Sequence, residues 1–438
     1  MRRRFSAFGA FVVVALLAAA CGGGNGETTG GATGTGGTGG GASGSVSVMA
    51  VWTGAEQEAF QAVLDGFTEQ NPDVKVNYTA AGDQLPTQLS TAVQGGNPPD
   101  IAALPQPGLM ADFVKKNALQ PLDFASSDIS DNFGQSVVDI GTVDGKLYGF
   151  LFKAANKSLV WYNVQSYSDA GVDPAEDWDT WIKNGDTLAA SGVAPYSIGG
   201  ADGWTLTDLF ENIYLRSAGP EKYDQLATHE IPWTDQSVKD ALTLMGDVLK
   251  SDQITGGTEG ALQTDFPTSV TNVFTDPPKA AQVIEGDFVG GVITDSTNAE
   301  AGSGFDVFAF PSINDSPQVV VGGGDTVVMF KDSPAAEALI KYLATPEAAQ
   351  IWAEKGGFAT LNKNMDTSVY PDDITKTTAG SLADVETFRF DLSDLQPAEF
   401  GGTVGQGLFK LFQDFLKNPD NVDGIAQQME DAAKKAYG

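Results

Sequence analysis

Two carboxylates in the segment "EGDFVGG" (285–291) have a spacing that could support chemistry on a sugar. Glu285 and Asp287 lie two residues apart, and on a strand they would share one face at roughly 6–7 Å. A pair of carboxyl groups near that separation can cleave a glycosidic bond. The glycine residues around the pair indicate a loop instead, so glycoside hydrolysis is the lesser of the functions that these residues could serve.

Other side chains suit the binding of a sugar without its cleavage. Trp52 and Glu56 follow the first predicted strand, Gln84 follows the second, and Trp204 stands in the glycine-rich segment "GGADGW". An aromatic face packs against the C–H face of a pyranose, while carboxylates and amides hydrogen-bond to its hydroxyl groups. We therefore predict that these four residues contact a sugar, although a T-x-x-E capping box with Thr53 would occupy Glu56 within its own helix.

Residue types that many enzymes need are scarce. The chain has one histidine, His229, and one cysteine, Cys21, which excludes Ser-His-Asp, Cys-His and histidine-rich metal sites. No GxxxxGK[ST] phosphate loop occurs, and the acidic stretch 418–424 lacks the spacing of an EF-hand. We expect no catalytic residues, no cofactor and no metal ion.

The charge balance excludes two classes of partner. The 438 residues carry a formal net charge of −32, which repels nucleic acid and anionic lipid headgroups. A hydrophobic content of 42% supplies enough apolar side chains for more than one core. Acidity also keeps an exported protein soluble, so it does not by itself identify a ligand.

The secondary-structure elements that would position Trp52, Glu56 and Gln84 alternate between strand and helix. Residues 46–50 and 74–78 alternate as strands do, and apolar residues at helical spacing lie between them. A helix over 85–94 and a short strand over 101–104 follow. Strand, helix, strand, helix, strand predicts a parallel sheet with right-handed crossovers.

The same alternation continues along the chain. We predict helices over 178–190, around 206–213, over 238–249, over 335–344 and through much of 408–437, with strands at 193–199, 307–311 and 325–330. Two α/β lobes fit this length better than one large sheet.

The N-terminus has the pattern of an export signal. Three arginines precede a short uncharged stretch that is below the roughly 20 residues of a membrane-spanning helix. Residues 18–21, "AAAC", resemble the bacterial lipobox, with Leu17 one position earlier than is usual. The resemblance implies that residues 1–20 are removed and that Cys21 is lipidated. Residues 22–45, which are mostly glycine, then form a flexible tether.

Several segments of the remaining chain resemble one family. "NPPDIAALP" (97–105), "YGFLFKAANKSLVWYN" (148–163) and "TPEAAQIWAEKGGFATLNKN" (345–364) are similar to solute-binding proteins of bacterial ABC importers. "GWTLTDLFENIYLR" (203–216), "GGGDTVVMF" (322–330) and "RFDLSDLQPAEFG" (389–401) resemble its α-glucoside and maltose-type members.

The resemblance implies a two-lobed periplasmic-binding-protein-like α/β fold with hinge strands and a ligand cleft between the lobes. Carried onto this chain, lobe 1 is 46–151 plus 311–365 and lobe 2 is 152–310 plus 366–438. The hinges then fall near 150–152 and 308–311.

The resemblance also implies further ligand contacts. Phe288 stands where the family places a cleft-facing aromatic residue, often tryptophan, and Trp204 matches a stacking position. Asp287, Asp325 and Asp394 are candidates to accept hydrogen bonds from sugar hydroxyls, unless they bond to their own backbone in turns.

The expected function is that of a monomeric, lipid-anchored receptor on the outer face of the cytoplasmic membrane. It would bind a neutral sugar, an α-glucoside di- or oligosaccharide, by hinge closure and deliver it to the permease subunits of an ABC importer. Two alternatives stay open at this point. One is a receptor for another solute, such as a peptide, an amino acid or a polyol, and the other is a glycoside hydrolase.

The N-terminal pattern generates the first testable prediction. We expect mass spectrometry of the mature protein to find Cys21 at the N-terminus with acyl chains attached, because the lone cysteine follows a lipobox-like sequence. A Cys21→Ala variant should keep its leader or be released from the membrane fraction. Recovery of an intact leader, or of unmodified Cys21, in the unaltered protein would contradict the prediction.

Overall fold

The structure is a computed structural model that describes residues 42–384 and 387–438. The predicted signal peptide, Cys21 and the tether up to residue 41 lie outside these described residues. The first strand begins at Gly44, so the last two residues of the predicted tether belong to the folded body.

The described residues form three sheets from twelve strands. These are β1 (Gly44–Ala50), β2 (Val74–Ala80), β3 (Ile101–Leu104), β4 (Thr142–Val143), β5 (Lys146–Leu147), β6 (Gly149–Asn156), β7 (Leu159–Asn163), β8 (Ala194–Ser197), β9 (Ala280–Ile284), β10 (Phe305–Ala309), β11 (Val319–Met329) and β12 (Thr387–Phe390).

The first sheet has six strands, and its parallel part is the one that the sequence predicts. β1 pairs in parallel with β2 on one side and with β3 on the other. β11 is much longer than the predicted 325–330, since it runs antiparallel to β6 along one edge and pairs with β12 and β3 along the other. Its length allows one strand to join the N-terminal strands to the late strand β12.

The second sheet has four strands in the order β10-β7-β9-β8. β7 is antiparallel to both of its neighbours, β10 and β9, whereas β8 and β9 are parallel. A two-stranded hairpin, β4 with β5, completes the described strands.

Twenty α-helices cover the faces of these sheets within the described residues. They are α1 (Gly54–Gln70), α2 (Leu85–Gln94), α3 (Pro107–Lys115), α4 (Ser126–Asn132), α5 (Gln135–Ile140), α6 (Val164–Ala170), α7 (Trp178–Ser191), α8 (Trp204–Ala218), α9 (Pro220–Ala227), α10 (Gln236–Val248), α11 (Gly257–Ala261), α12 (Phe266–Phe274), α13 (Val289–Ser296), α14 (Pro334–Leu343), α15 (Pro346–Ala353), α16 (Asp373–Asp384), α17 (Leu392–Leu395), α18 (Ala398–Gly401), α19 (Gly407–Lys417) and α20 (Val422–Tyr437).

Local sequence explains several of these boundaries. α2 has the predicted bounds, and a proline at its start suits the first turn of a helix. The side chain of Asp177 caps α7 by accepting from the Thr180 N–H, and Ser333 caps α14 in the same way. The predicted capping box of α1 is wrong: Thr53 is the N-cap residue, but its side chain makes no capping hydrogen bond.

Each of the two large sheets has its own apolar core. The first core packs β1, α1, α14 and α15 together, and the second packs α8, α10, α19 and α20. Ala379 and Leu382 of α16 belong to the first core, although the resemblance places this segment in lobe 2. The exact lobe limits therefore stay a prediction.

The chain passes three times between the sheets. It leaves the first sheet at 157–158 between β6 and β7, returns over 310–318 between β10 and β11, and leaves again after β12. The predicted hinge residues 150–152 lie within β6, paired with β11. Residues 308 and 309 end β10, and 310–311 begin the second passage.

An aromatic cluster holds the first core together beside the cleft. Trp352 is 1% exposed, and its ring centroid lies 4.8 Å from that of Trp52 and 5.1 Å from that of Phe358. Phe60 and Phe152 complete the cluster. Because these rings fill one continuous volume, removal of the central indole would leave a cavity that its neighbours cannot close.

We expect Trp352→Ala to lower the free energy of unfolding by about 3–5 kcal/mol, since a large buried aromatic side chain is lost. Trp352→Phe is the matched control and should cost clearly less, because it keeps a ring in the cluster. Urea denaturation followed by circular dichroism measures both. A loss below about 1 kcal/mol for the alanine variant would mean that the cluster is not a structural support.

Candidate functional site

A cavity of about 390 Å³ opens between the two large sheets. Its first wall is built from residues that follow β1 and β2, and its second wall from residues that follow β8 and β9. These are carboxyl ends of parallel strands, where open α/β sheets collect their ligands. Helices α1 and α8 begin at the cavity, so first-turn N–H groups, which have no partner within their own helix, lie beside it.

Six of the eight predicted ligand contacts line this one cavity. They are Trp52, Glu56, Trp204, Phe288, Asp325 and Asp394. Two do not line it: Gln84 is exposed at the start of α2, and Asp287 is 2% exposed behind the wall, where its Oδ2 accepts the Asn156 N–H at 2.9 Å. The turn that follows β9 directs Asp287 inward, which the residue spacing could not indicate.

Trp52 is placed at the cavity but does not present its ring to it. The side chain is 1% exposed and packs on Phe60, and its indole N–H donates to Asp325 Oδ2 at 2.8 Å. It therefore orients a carboxylate. Asp325 stands at a register shift in the pairing of β11 with β6, a bulge that turns its side chain toward the cavity.

Glu56 reaches across to a lysine, which is why it does not cap its helix. Its Oε1 lies 2.6 Å from Nζ of Lys153 on β6, and Lys153 is 4% exposed. Burial lowers the pKa of Lys153, but the charges of Glu56 and Asp325 outweigh it, so the net pKa is raised. Lys153 was not predicted, because it lies in an apolar strand without any local signal of function.

Three aromatic rings form what we call the aromatic wall: Trp204, Phe266 and Phe288. The centroid of Trp204 is 5.2 Å from that of Phe266 and 6.0 Å from that of Phe288. Trp204 is half-buried and is the first residue of α8, rather than part of a free loop. The rings are inclined at 54°, 64° and 77° to one another, so a sugar ring can pack on one aromatic face while the neighbouring rings border it.

The preceding residue, Gly203, fixes how Trp204 enters the cavity. Its φ is +86°, a conformation that favours glycine, and a Cβ there would lie 2.7 Å from Phe409 Cβ. Phe266 was missed in the sequence. The pattern of Asp265, Phe266 and Pro267, an N-cap followed by a proline in the first turn, could have indicated a helix start at the cavity.

The floor of the cavity is an ion cluster around Lys157. Its Nζ lies 2.6 Å from Asp391 Oδ2, 3.2 Å from Asp208 Oδ1 and 3.8 Å from Asp394 Oδ2. It also lies 5.8 Å from the Trp204 ring centroid. Burial lowers the pKa of Lys157, but these three carboxylates raise it well above its ordinary value.

The carboxylates of this floor divide by how closely they approach Lys157. Burial favours the neutral form of each, yet contact with Lys157 lowers the pKa of Asp391 to about 2. Burial and the charge of Asp391 instead raise the pKa of Asp394 well above its ordinary value, and burial raises that of Asp208 to about 8. Lys157 and Asp391 were not predicted, since their neighbours lie far away in the sequence.

A second pair of carboxylates stands at the rim. Asp83 follows β2 and Asp202 precedes α8, so the pair brings residues from the two walls together. Asp202 Oδ2 accepts the Phe266 N–H at 2.6 Å. Burial, followed by the nearby charge of Asp83, raises the pKa of Asp202 to about 7.

This architecture agrees with comparisons to known proteins. Residues 52–350 match the family described as bacterial extracellular solute-binding protein. The osmoprotective compounds-binding protein GgtB of Synechocystis sp. is 34% identical over 372 residues, which cover 83% of this chain and 86% of that protein. The alpha-glucosides-binding periplasmic protein AglE of Rhizobium meliloti is also 34% identical, over 87% of this chain and 85% of that protein. The chain belongs to the bacterial extracellular solute-binding protein family.

Solved structures of solute-binding proteins share the two-lobed fold. A chitin oligosaccharide binding protein superposes with a TM-score of 0.78 at 19% identity, covering 90% of this chain and 99% of that chain. The bacterial solute receptor AcbH has the same TM-score at 20% identity. The expected fold class is thereby confirmed.

The described residues offer neither a metal-ligand cluster nor a membrane-spanning helix. Across 42–384 and 387–438, no three His, Cys, Asp or Glu residues are grouped as metal ligands. Within the same ranges, no helix has both the length and the apolar character that would let it cross a membrane.

The predicted pair Glu285 and Asp287 does not have the geometry for glycoside hydrolysis. β9 ends at Ile284, so Glu285 and Asp287 do not share a strand face. Neither residue lines the cavity, and both are 2% exposed. Burial and the charge of Asp208 raise the pKa of Glu285 well above its ordinary value, which suits a neutral interior group.

The rim pair predicts how stability depends on pH. With a pKa of about 7, folded Asp202 holds a proton that the unfolded chain has already released near pH 4. Its contribution is present below the unfolded pKa and is lost as the pH rises through about 7. We expect Asp202→Asn to gain stability relative to the unaltered protein between about pH 5 and pH 8, measured by urea unfolding.

Asp235→Asn is the control for this measurement. Hydrogen bonds from Ser237 lower the pKa of Asp235 to about 2, so both the folded and the unfolded chain carry its charge above about pH 5. Its stability difference should therefore be constant over the same range. A constant difference for Asp202→Asn as well would contradict the raised pKa.

Proposed function

We propose that the chain is the receptor of an ABC sugar importer and that it binds an α-linked, gluco-configured di- or oligosaccharide. The observation that carries the proposal is that the aromatic wall and the carboxyl groups of Glu56, Asp325 and Asp394 line one cavity. Aromatic rings against C–H faces and carboxylates against hydroxyl groups are the two contacts that a neutral sugar offers.

The relatives support the ligand class. AglE is named for α-glucosides and GgtB for osmoprotective compounds, and each matches over more than four fifths of this chain. The cavity volume of about 390 Å³ falls within the roughly 300–1,000 Å³ usual for small-molecule sites. Arg216 and Arg389, the remaining arginines of the predicted mature chain, do not line the cavity, which argues against an anionic ligand.

Binding would work by hinge closure. Lobe 1 (46–151 plus 311–365) and lobe 2 (152–310 plus 366–438) would rotate about the three passages between the sheets. A sugar that packs on Trp204 and hydrogen-bonds to Glu56 touches both walls only when they are close, so it shifts the equilibrium toward the closed form. No bond in the ligand is made or broken, and the chain acts as a binding protein rather than an enzyme.

Delivery would take place at the membrane. Acyl chains on Cys21 would hold a monomer on the outer face of the cytoplasmic membrane, and the glycine-rich tether would let the body reach the permease subunits. The net charge of −32 disfavours direct contact with anionic lipid, so the anchor would be the membrane contact.

A thermal-shift panel of mono-, di- and oligosaccharides, with amino acids, peptides and polyols included, tests the ligand class. A ligand that binds only the folded chain raises its stability in proportion to its concentration over Kd. We expect α-glucosides to give the largest shift. A larger shift with a peptide, amino acid or polyol would overturn the assignment to sugars.

Trp204→Ala should weaken the best sugar by about tenfold in calorimetric titration, since stacking on an aromatic ring is commonly worth about 1–3 kcal/mol. Trp204→Phe retains a ring and should lose less affinity. Trp178→Ala is the matched control, because Trp178 is buried in the second core and does not line the cavity. It should lower the melting temperature and leave affinity unchanged. If Trp204→Ala instead lowered the melting temperature and left the affinity unchanged, Trp204 would be a core residue.

A further inference from the structure

The walls of the cavity are strongly unbalanced in charge. Eight residues with carboxyl side chains line it, against two lysines. The carboxyl groups come from both walls and from the floor, so the excess of acidic residues extends around the whole cavity. A low-dielectric cleft lined by one sign of charge concentrates the field on whatever enters it.

Neither lysine is free to receive an anion. Lys153 Nζ is 2.6 Å from Glu56, and Lys157 Nζ is 2.6 Å from Asp391 and 3.2 Å from Asp208. Among the described residues that line the cavity, no other basic side chain occurs. A carboxylate or phosphate on a ligand would have to displace one of these short ion pairs, and displacement of Asp208 or Asp391 would leave a buried carboxyl group without its cation.

Asp394 is the carboxylate with the least compensation. The residue is 7% exposed and lines the cavity, yet none of the hydrogen bonds described for the structure is accepted by its side chain. Its nearest cation, Lys157, is 3.8 Å away, beyond hydrogen-bonding distance. Burial and the charge of Asp391 raise the pKa of Asp394 well above its ordinary value, so its neutral form is favoured and an added cation would favour its ionisation.

Trp204 and Asp394 both lie near the ammonium of Lys157, whose Nζ is 5.8 Å from the Trp204 ring centroid and 3.8 Å from Asp394 Oδ2. A cationic group on a ligand ring would be attracted by Asp394 and by the other carboxyl groups of the cavity, provided that it approaches Asp394 from the cavity and not from the side of Lys157. A neutral hydroxyl there gains one hydrogen bond, whereas an ammonium gains a charge-assisted one and offsets the negative field.

We propose that the cavity selects sugars by charge: it takes amine-bearing saccharides in addition to neutral ones, it rejects sugars that carry a carboxylate or phosphate, and Asp394 is the residue that reads the charge. This inference rests on the proposed function, since it assigns a ligand class within the same sugar site.

A series of three isosteric ligands tests the proposal. The best neutral α-glucoside from the panel is compared with its 6-amino-6-deoxy analogues and with its uronic acids. Each modification is made separately on each sugar ring, since the ring that lies near Asp394 is not known in advance. The three differ in charge and hardly in size. We expect the better amine to bind roughly tenfold tighter than the parent, and the uronic acids at least about a hundredfold weaker, by calorimetric titration at low ionic strength.

Two variants separate Asp394 from the general field. In Asp394→Asn the ratio of amine affinity to parent affinity should fall about tenfold, because an amide cannot give up a proton to become the anion that pairs with an ammonium. Asp295→Asn is the matched control: it makes the same change in the same cavity, but Asp295 is exposed at the rim. Screening by solvent should keep its effect on that ratio below about threefold.

The outcomes distinguish the two proposals. If no saccharide binds, the sugar-receptor function fails and the inference falls with it. If the parent binds but the uronic acids bind within threefold of it, or the amines bind no tighter, the charge selection alone is overturned. Equal changes of the ratio in Asp394→Asn and Asp295→Asn would overturn the role of Asp394.

Discussion

The buried ammonium of Lys157 is the interaction on which the arrangement of the cleft depends. Lys157 lies in the first passage between the sheets, and its partners come from α8, through Asp208, and from the segment after β12, through Asp391 and Asp394. The backbone of the same passage is fixed as well, because the Lys157 N–H donates to Val321 O at 2.9 Å. One side chain thus joins the first passage between the sheets to α8 and to the segment after β12. Removal of one partner from a buried ion cluster costs about 3–5 kcal/mol in other proteins.

The cluster also explains why so much negative charge can be gathered in one place. Carboxylates that are buried without a cation are costly, and the chain meets that cost in two ways. Asp391 stays charged against Lys157, whereas the raised pKa values of Asp208 and Glu285 favour their neutral forms. The carboxyl groups that line the cavity can still accept hydrogen bonds from a ligand. The distribution of charge among these carboxyl groups therefore also decides which ligand groups the site can bind.

Aromatic residues are divided between support and binding by their exposure. The cluster around Trp352 is closed and stabilises the first core, while the residues of the aromatic wall line the cavity. Trp52 and Trp204 illustrate the division, since each stands at the start of a helix that begins at the cleft. The ring of Trp52 is 1% exposed and acts through its N–H on Asp325, whereas that of Trp204 is half-buried and faces the ligand volume.

The sequence by itself determined the features that short-range patterns encode. Hydrophobic periodicity and turn residues predicted the parallel start of the first sheet and the bounds of α2, and ordered motifs pointed to the family and to Trp204. Only the tertiary structure decided which side chains meet. Glu56 accepts a hydrogen bond from Lys153, 97 residues away, instead of capping its own helix. The indole of Trp52 donates to Asp325, which is 273 residues away. A local sequence pattern cannot predict such partners. The pairs form only when the two sheets and the passages between them bring distant strand ends to one cleft.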